Sequence, residues 1–241
     1  MAQKNIALLL GHGDGSFTKG PATLLVWNAN PQSITIADFN RDNRLDVAIA
    51  NSGTSNIDML LGDGKGALIR QNNEGYSLHR SPSIVVAEDF DHDGQSEIVV
   101  AYDNSDNIDI LVVYDPGNFT DPVTYPTDFW PDSVATGDFN EDKILDLIVT
   151  IRPNYKIGVL LGNGDGSFTK HTTYEIGYDL RSVAVGHFNN DSHLDIVVGN
   201  YDGAYVEIFS GYGNGSFARQ QTCPNGTNPR FLVVGHFSRQ G

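Results

Sequence analysis

Only one cysteine, Cys223, stands in the chain, which excludes an internal disulfide framework and any multi-thiolate metal site. Basic residues are scarce as well: 15 Lys and Arg face 30 Asp and Glu, for a net charge of −15. That balance speaks against nucleic acid, whose binding rests on clustered Lys and Arg displacing counterions, and equally against an anionic membrane surface. Long apolar runs are missing too. The longest aliphatic stretch, Ile6 to Leu10, is too short to span a bilayer, and no signal-peptide pattern opens the sequence. No window sustains a helical period over ten residues. Hydrophobic residues still make up 39%, enough for a core and too many for a disordered chain. A surplus of carboxylates with few bases to pair them makes cations the first partners to consider.

What is present is a repeat. One nine-residue block recurs in register: Asp38-Phe-Asn-Arg-Asp-Asn-Arg-Leu-Asp46, Asp89-Phe-Asp-His-Asp-Gly-Gln-Ser-Glu97, Asp138-Phe-Asn-Glu-Asp-Lys-Ile-Leu-Asp146 and His187-Phe-Asn-Asn-Asp-Ser-His-Leu-Asp195. A fifth copy opens at His236-Phe237, and successive starts lie 51, 49, 49 and 49 residues apart. A glycine block keeps the same period at Gly11–Phe17, Gly62–Leu68, Gly162–Phe168 and Gly211–Phe217, with a degenerate version at Tyr114–Phe119. Each period holds four short runs rich in Val, Ile and Leu, in the third unit Ser133–Phe139, Leu147–Ile151, Ile157–Leu161 and a weaker Thr172–Ile176. Gly, Asp, Asn and Pro punctuate them, so these are strands.

Four strands in a unit of about 40–50 residues predict an all-β fold, a β-propeller of four-stranded antiparallel blades; a parallel β-solenoid, repeating at about 20–30 residues, is the competing reading. With strands labelled A to D, strand A ends on a small residue before or near the acidic block: Ala37, Ala87, Gly137, Gly186 and Gly235. Only small side chains fit where inner strands converge, which makes A the inner strand. The chain then opens on a C strand (Ile6–Leu10) and a D strand (Ala22–Trp27), runs through four whole blades, and stops after a lone A strand, Phe231–Phe237. This reads as one domain over 1–241 with units near 1–51, 52–102, 103–151, 152–200 and 201–241. A blade closed from the two ends would lack strand B. The expectation is therefore either a portion of a larger propeller or a closed five-bladed ring with a rearranged seam.

The acidic block, between A and B, carries acid or amide at positions 1, 3 and 5 and acid at position 9. Ca²⁺ takes six to eight oxygens, and a tight loop offering alternate side chains and one carbonyl can wrap it. The candidate ligands are Asp38, Asn40, Asp42, Asp46 and the Arg44 carbonyl; Asp89, Asp91, Asp93, Glu97 and the Gln95 carbonyl; Asp138, Asn140, Asp142, Asp146 and the Ile144 carbonyl. The competing reading is that Asp and Asn simply make side-chain turns, although a plain turn needs no acid at position 9. In the fourth loop His187 replaces the first acid, leaving Asn189, Asp191 and Asp195; His187 and His193 also admit a transition metal there. Twelve of the 30 acids fall at these positions, and three filled loops would neutralise six of the fifteen excess charges. The glycine block is not a phosphate loop, since a strand and not a helix follows it; glycine at positive φ in a hairpin accounts for it.

Strand-Asp-Phe-Asn-x-Asp-x-x-Leu-Asp-strand followed by Leu-Leu-Gly-x-Gly-x-Gly-Ser-Phe resembles the FG-GAP/VCBS repeats of integrin-α-type propellers, over essentially the whole chain. The resemblance implies Ca²⁺ in the A–B loops on the positions just named. It also implies a ring that is commonly seven-bladed, an extracellular or cell-surface setting, and binding or adhesion as the usual role. His187 and His236 depart from its first position.

Antiparallel connection puts the acidic loops and glycine turns on one face. The B–C loops (51–56, 102–107, 152–156 and 200–204) and the D–A connections share the other. Asn30-Pro31, Phe129-Trp130-Pro131, Asp179-Leu180-Arg181 and Asn228-Pro229-Arg230 lie on those connections. Aromatics and Arg are enriched at binding hot spots, so Trp130, Arg152, Tyr155, Arg181, Tyr201 and Arg230 are candidate contacts for a protein or glycan ligand; inter-blade packing is the competing role. Three functions follow: a calcium-stabilised extracellular binding module, a structural scaffold without a defined ligand, or a propeller part of a carbohydrate-active enzyme. No Ser/His/Asp or Cys/His set supports the last. Sequons at Asn118, Asn190, Asn214 and Asn225 fit a glycosylated, secreted chain.

Overall fold

The computed structural model describes residues 4–71, 75–102, 104–115, 118–127, 130–152, 155–177, 179–224 and 226–235. The block start at His236-Phe237, Phe129 and the sequon at Asn225 lie outside them. By contacts the chain divides into two compact units, Met1–Tyr125 and Pro126–Gly241.

The first unit opens on a hairpin of β1 (Asn5–Gly11) and β2 (Phe17–Leu24). The D strand expected at Ala22–Trp27 therefore starts earlier, directly after the glycine turn. Blade 1 orders β3 (Pro31–Ala37), β4 (Asp46–Asn51), β5 (Asn56–Gly62) and β6 (Leu68–Arg70) side by side, with β7 (Tyr76–Ser77) also on β5. Blade 2 contains β8 (Pro82–Glu88), β9 (Glu97–Tyr102) and β10 (Asn107–Leu111). The degenerate glycine segment then forms its own small hairpin, β11 (Val113–Asp115) with β12 (Asn118–Phe119), before β13 (Val123–Pro126) completes the blade against β10.

In the second unit, blade 3 is β14 (Trp130–Gly137), β15 (Asp146–Arg152), β16 (Lys156–Gly162) and β17 (Phe168–Glu175). Blade 4 is β18 (Leu180–Gly186), β19 (Asp195–Asn200), β20 (Tyr205–Gly211) and β21 (Phe217–Pro224). These are the four-stranded antiparallel sheets of propeller blades. Each inner strand begins with the same register shift, at Pro31/Ser33, Pro82/Ile84, Pro131/Ser133 and Leu180/Ser182. Such a bulge adds twist at the start of the strand.

The B strands are apolar without alternation because both faces are covered. On β4 and β5, Val47, Ile49 and Leu60 face a cluster with Leu25 and Ala29, while Ala48, Ala50, Ile57 and Met59 join Val85, Ile98 and Val100 of blade 2. In the second unit Ile148, Ile157 and Val159 of blade 3 meet Val183, Ile196 and Val198 of blade 4. Neighbouring inner strands are also linked by serine. The hydroxyl oxygen of Ser33 accepts the N–H of Val85, that of Ser133 the N–H of Val183, and that of Ser182 the N–H of Leu232.

The last of these bonds puts Leu232 where an inner strand belongs. Even so, 231–235 is not a strand, contrary to the expected lone strand A. Among the described residues no B strand stands beside it, and a strand needs a ladder partner. The small residue at the end of strand A has a local cause. A Cβ on Gly137 would meet Phe139 Cε1 and Leu194 Cδ1, each at 2.9 Å, so the glycine makes room for the aromatic of its own block and for the next blade.

Candidate functional site

Loops 1 to 3 share one backbone. Positions 4 and 6 adopt positive φ: Arg41 and Asn43, His92 and Gly94, Glu141 and Lys143. These reversals turn the side chains of positions 1, 3 and 5 back onto the loop's own N–H groups. Asp38 accepts from Asp42 and Asn43 (3.2 and 2.8 Å), Asp89 from Asp93 and Gly94 (3.1 and 3.0 Å), and Asp138 from Asp142 and Lys143 (3.1 and 2.9 Å). Position 3 serves the N–H of position 5 through Asn40, Asp91 and Asn140. Position 5 serves that of position 7, so Arg44, Gln95 and Ile144 are each held through their amides by Asp42, Asp93 and Asp142.

The acid at position 9 has a role of its own. Asp46, Glu97, Asp146 and Asp195 are fully buried. One oxygen of each accepts the N–H of the block phenylalanine: Phe39, Phe90, Phe139 and Phe188, at 2.8–3.0 Å. In three blades the other oxygen accepts the first glycine of the glycine block, Gly62, Gly162 or Gly211, at 2.9–3.0 Å. The carboxylate thus staples the A–B loop to the C–D hairpin. The fold needs this acid with or without a metal, so its recurrence alone does not separate a calcium loop from a turn. Burial pushes the carboxyls up despite these bonds: Asp46 above its ordinary range, Asp146 to about 6 and Glu97 to about 7.

Loop 2 is the one whose carboxylates converge. Oxygens of Asp89, Asp91 and Glu97 lie within 4.8 Å of one another, the one such acidic group among the described residues. Three anionic groups at that spacing, one of them pushed up to about 7, suit a divalent cation with oxygen ligands. Asp93 does not join them; its carboxylate pairs with Arg41 of loop 1. Loops 1 and 3 have Asn at position 3, and its amide donates to Asp42 (3.2 Å) or Asp142 (2.8 Å).

Loop 4 is built differently. Only Asn190 has positive φ, and His187 Nδ1 lies 2.9 Å from the His193 carbonyl, the oxygen a metal would need. The His193 ring faces Glu141, and the Asn189 amide donates to Asp191 at 2.7 Å and Ser210 at 3.2 Å.

On the opposite face of the second unit five of the six candidate contact residues form one strip. Trp130 lies across from Arg152 in the β14–β15 register. Arg152 pairs with Asp132 (3.6 Å) and Asp179 (3.5 Å), and Arg181 with Asp179 (2.6 Å) and Asp132 (3.8 Å). Arg181 and Arg230 both stack on Tyr201, at 5.2 and 5.1 Å from the ring centre, and Arg230 donates to its hydroxyl at 3.1 Å. Arg152 and Arg181 are thus taken up in ion pairs, whereas Trp130 and Arg230 face solvent. Tyr155 stands apart, its carbonyl accepting the N–H of Ile176 at 2.9 Å.

One set was not read from the sequence: the third residue of strand C. Asp58 and Glu207 are buried there and paired with D-strand arginines, Asp58 with Arg70 (3.1 Å) and Glu207 with Arg219 (3.3 Å). Asp109 is their counterpart in blade 2, and Gly158 in blade 3, where Ile151 Cδ1 lies 3.2 Å from the position of a Cβ. The recurrence of acids at the repeat period was the available signal, masked by the denser acidic loops.

The FG-GAP-like repeat family profile matches residues 2–49, 89–149 and 142–198. The chain belongs to this family. No curated protein matches it in sequence. Among solved structures, it is similar to an Agrocybe aegerita lectin described as recognising non-reducing terminal N-acetylglucosamine (14% identity, 92% of this chain and 61% of that one, TM-score 0.61). A Lactobacillus plantarum protein (16%, 92% and 65%, 0.67) and a functionally unknown protein from Desulfotomaculum acetoxidans (9%, 90% and 62%, 0.65) are also similar. At these identities the likeness is one of fold, and the chain spans less than two thirds of each.

Proposed function

We propose that the chain is a calcium-binding interaction module of an extracellular or cell-surface protein, in which the metal stiffens the loop face and the opposite face meets a protein or glycan. The convergence of Asp89, Asp91 and Glu97 on a doubly reversed loop carries the calcium reading, with loop 2 as the tightest site. Asp38, Asn40 and Asp42, and Asp138, Asn140 and Asp142, would hold the ion in loops 1 and 3. A bound Ca²⁺ would supply charge neutralisation and rigidity, not reaction chemistry, so the proposal is of a non-enzymatic protein. Exposed sequons at Asn190 and Asn214 fit the extracellular setting.

The test is thermal unfolding with excess EDTA and with Ca²⁺, alongside isothermal titration. At about 100 times the dissociation constant one site contributes about 2.7 kcal/mol, a shift of several degrees. Glu97→Gln should remove the tightest binding step. Identical melting curves with EDTA and with Ca²⁺ would defeat the reading.

A further inference from the structure

Blade 2 differs from its neighbours at the third residue of strand C. In blades 1 and 4 this acid is capped by a D-strand arginine, Arg70 or Arg219, and in blade 3 Gly158 and Ile151 leave no acid to cap. The D strand of blade 2, Val123–Pro126, carries no basic residue. Asp109 instead accepts two hydroxyls, Tyr102 at 2.5 Å and Thr124 at 2.6 Å. A cleft of about 180 Å³ lies here, on the face of the B–C loops, lined by His79, Arg80, Tyr102, Asn107, Asp109 and Thr124, with Pro122 as an apolar wall.

We infer that this cleft binds a neutral pyranose ring, the end of a glycan or a free monosaccharide. The inference deepens the ligand half of the proposed function and rests on it. Three features select that chemistry. The two hydroxyl bonds use one lone pair on each Asp109 oxygen, leaving acceptors for sugar O–H groups. Arg80 donates one N–H to Ser105 and Asn107 one to Asp106 at 3.0 Å, and their remaining N–H groups serve sugar oxygens, while Pro122 offers an apolar surface to the C–H face of a ring. The lining carries both a cationic and an anionic side chain, Arg80 and Asp109, which suits a neutral polyol that both donates and accepts. The volume is below the roughly 300–1,000 Å³ of drug-sized pockets, which limits the bound part to about one ring.

Saturation-transfer NMR on the full chain tests this, using the methyl pyranosides of glucose, galactose, mannose and N-acetylglucosamine at about 10 mM, enough to populate a site with a Kd near 1 mM. At least one should receive saturation. Thr124→Arg puts a long cationic side chain where the Thr124 hydroxyl now meets Asp109, covering the acid as arginines cover those of blades 1 and 4 from a different position, and should lower affinity at least about tenfold, the equivalent of one hydrogen bond to a charged group. Asp109→Asn should weaken binding in the same direction. Thr124 is exposed and its variant exchanges one hydroxyl bond to Asp109 for an ion pair, so the variant should fold and keep any calcium shift. If Asp109→Asn does not fold, Thr124→Arg decides alone. No transfer to any pyranoside, or transfer undiminished in Thr124→Arg, overturns the inference and leaves the calcium reading untouched. Sugar binding without a calcium shift would uphold the cleft and remove the calcium reading.

Discussion

Replacing Gly162 by alanine isolates the contact that joins loop and hairpin in three of the four blades. Gly162 lacks the positive φ of the turn glycines that follow it, so it is present for space alone. A Cβ there would stand 2.3 Å from the Leu145 carbonyl oxygen and 2.8 Å from Ile144 Cγ2. The same approach recurs at Gly62 (2.2 Å from the Leu45 oxygen) and Gly211 (2.1 Å from the Leu194 oxygen). The blocking atom is backbone, so the hairpin must retreat by about 1 Å, and overpacking of this kind costs about 1–3 kcal/mol. Retreat also stretches the bond from the Gly162 N–H to Asp146, a charge-assisted bond worth about 1.5–3 kcal/mol. The two losses share one displacement and are not summed; about 3 kcal/mol is expected.

At about 2–4 °C per kcal/mol, that lowers the midpoint by roughly 6–12 °C. Gly164→Ala is the control: its φ of +78 imposes the left-handed penalty of about 1–2 kcal/mol on an L-residue, and its Cβ would meet no backbone, only the side-chain end of Ile144, with Cδ1 at 3.1 Å. Urea unfolding followed by tryptophan fluorescence measures both. A loss below about 1 kcal/mol for Gly162→Ala, or a larger loss for Gly164→Ala, would refute the staple as the reason for the glycine.

Two further outcomes follow. Glu97 and Asp146 have folded-state values raised by burial to about 7 and about 6, so the folded chain holds protons that the unfolded chain has already released. Without metal, stability should therefore fall as pH rises from the ordinary carboxylate range, about 4–4.5, through those values. Urea midpoints in EDTA from pH 4.5 to 8 check the sign, and a rise over that window would contradict it. Tyr201→Ala removes the ring between Arg181 and Arg230 and should cost about 1–2 kcal/mol, two cation–π contacts at about 0.5–1 kcal/mol each; Tyr201→Phe should recover most of it. An equal loss in both variants would place the contribution in the Tyr201 hydroxyl.

The repeat was legible because its determinants are short-range. Asx-type bonds within nine residues shape loops 1 to 3, and the glycine turns close on themselves, as where the Asp63 carboxylate accepts the N–H groups of Lys65 and Ala67. Pairing partners several tens of residues apart were not legible. Asp93 fits the ligand pattern in sequence but turns to Arg41, 52 positions earlier, and in loop 4 the ring of His193 turns to Glu141, also 52 positions earlier. The end strand was overread because 231–235 has the composition of strand A without a ladder beside it among the described residues.

The sequence by itself determined the period, the four strands per unit, the faces on which the loops lie and the loops that can present oxygens to a cation. Those features follow from alternation, turn chemistry and spacing, all encoded locally. Only the tertiary structure decided what each acid does. Position 9 became a buried staple because strand B brings it beside the hairpin glycine 16 residues away. Asp109 came to line a cleft, unlike the buried Asp58 and Glu207, because no arginine on its D strand closes over it. A carboxylate's role is set by the groups the fold places within hydrogen-bonding distance, and those come from parts of the chain that spacing alone does not pair.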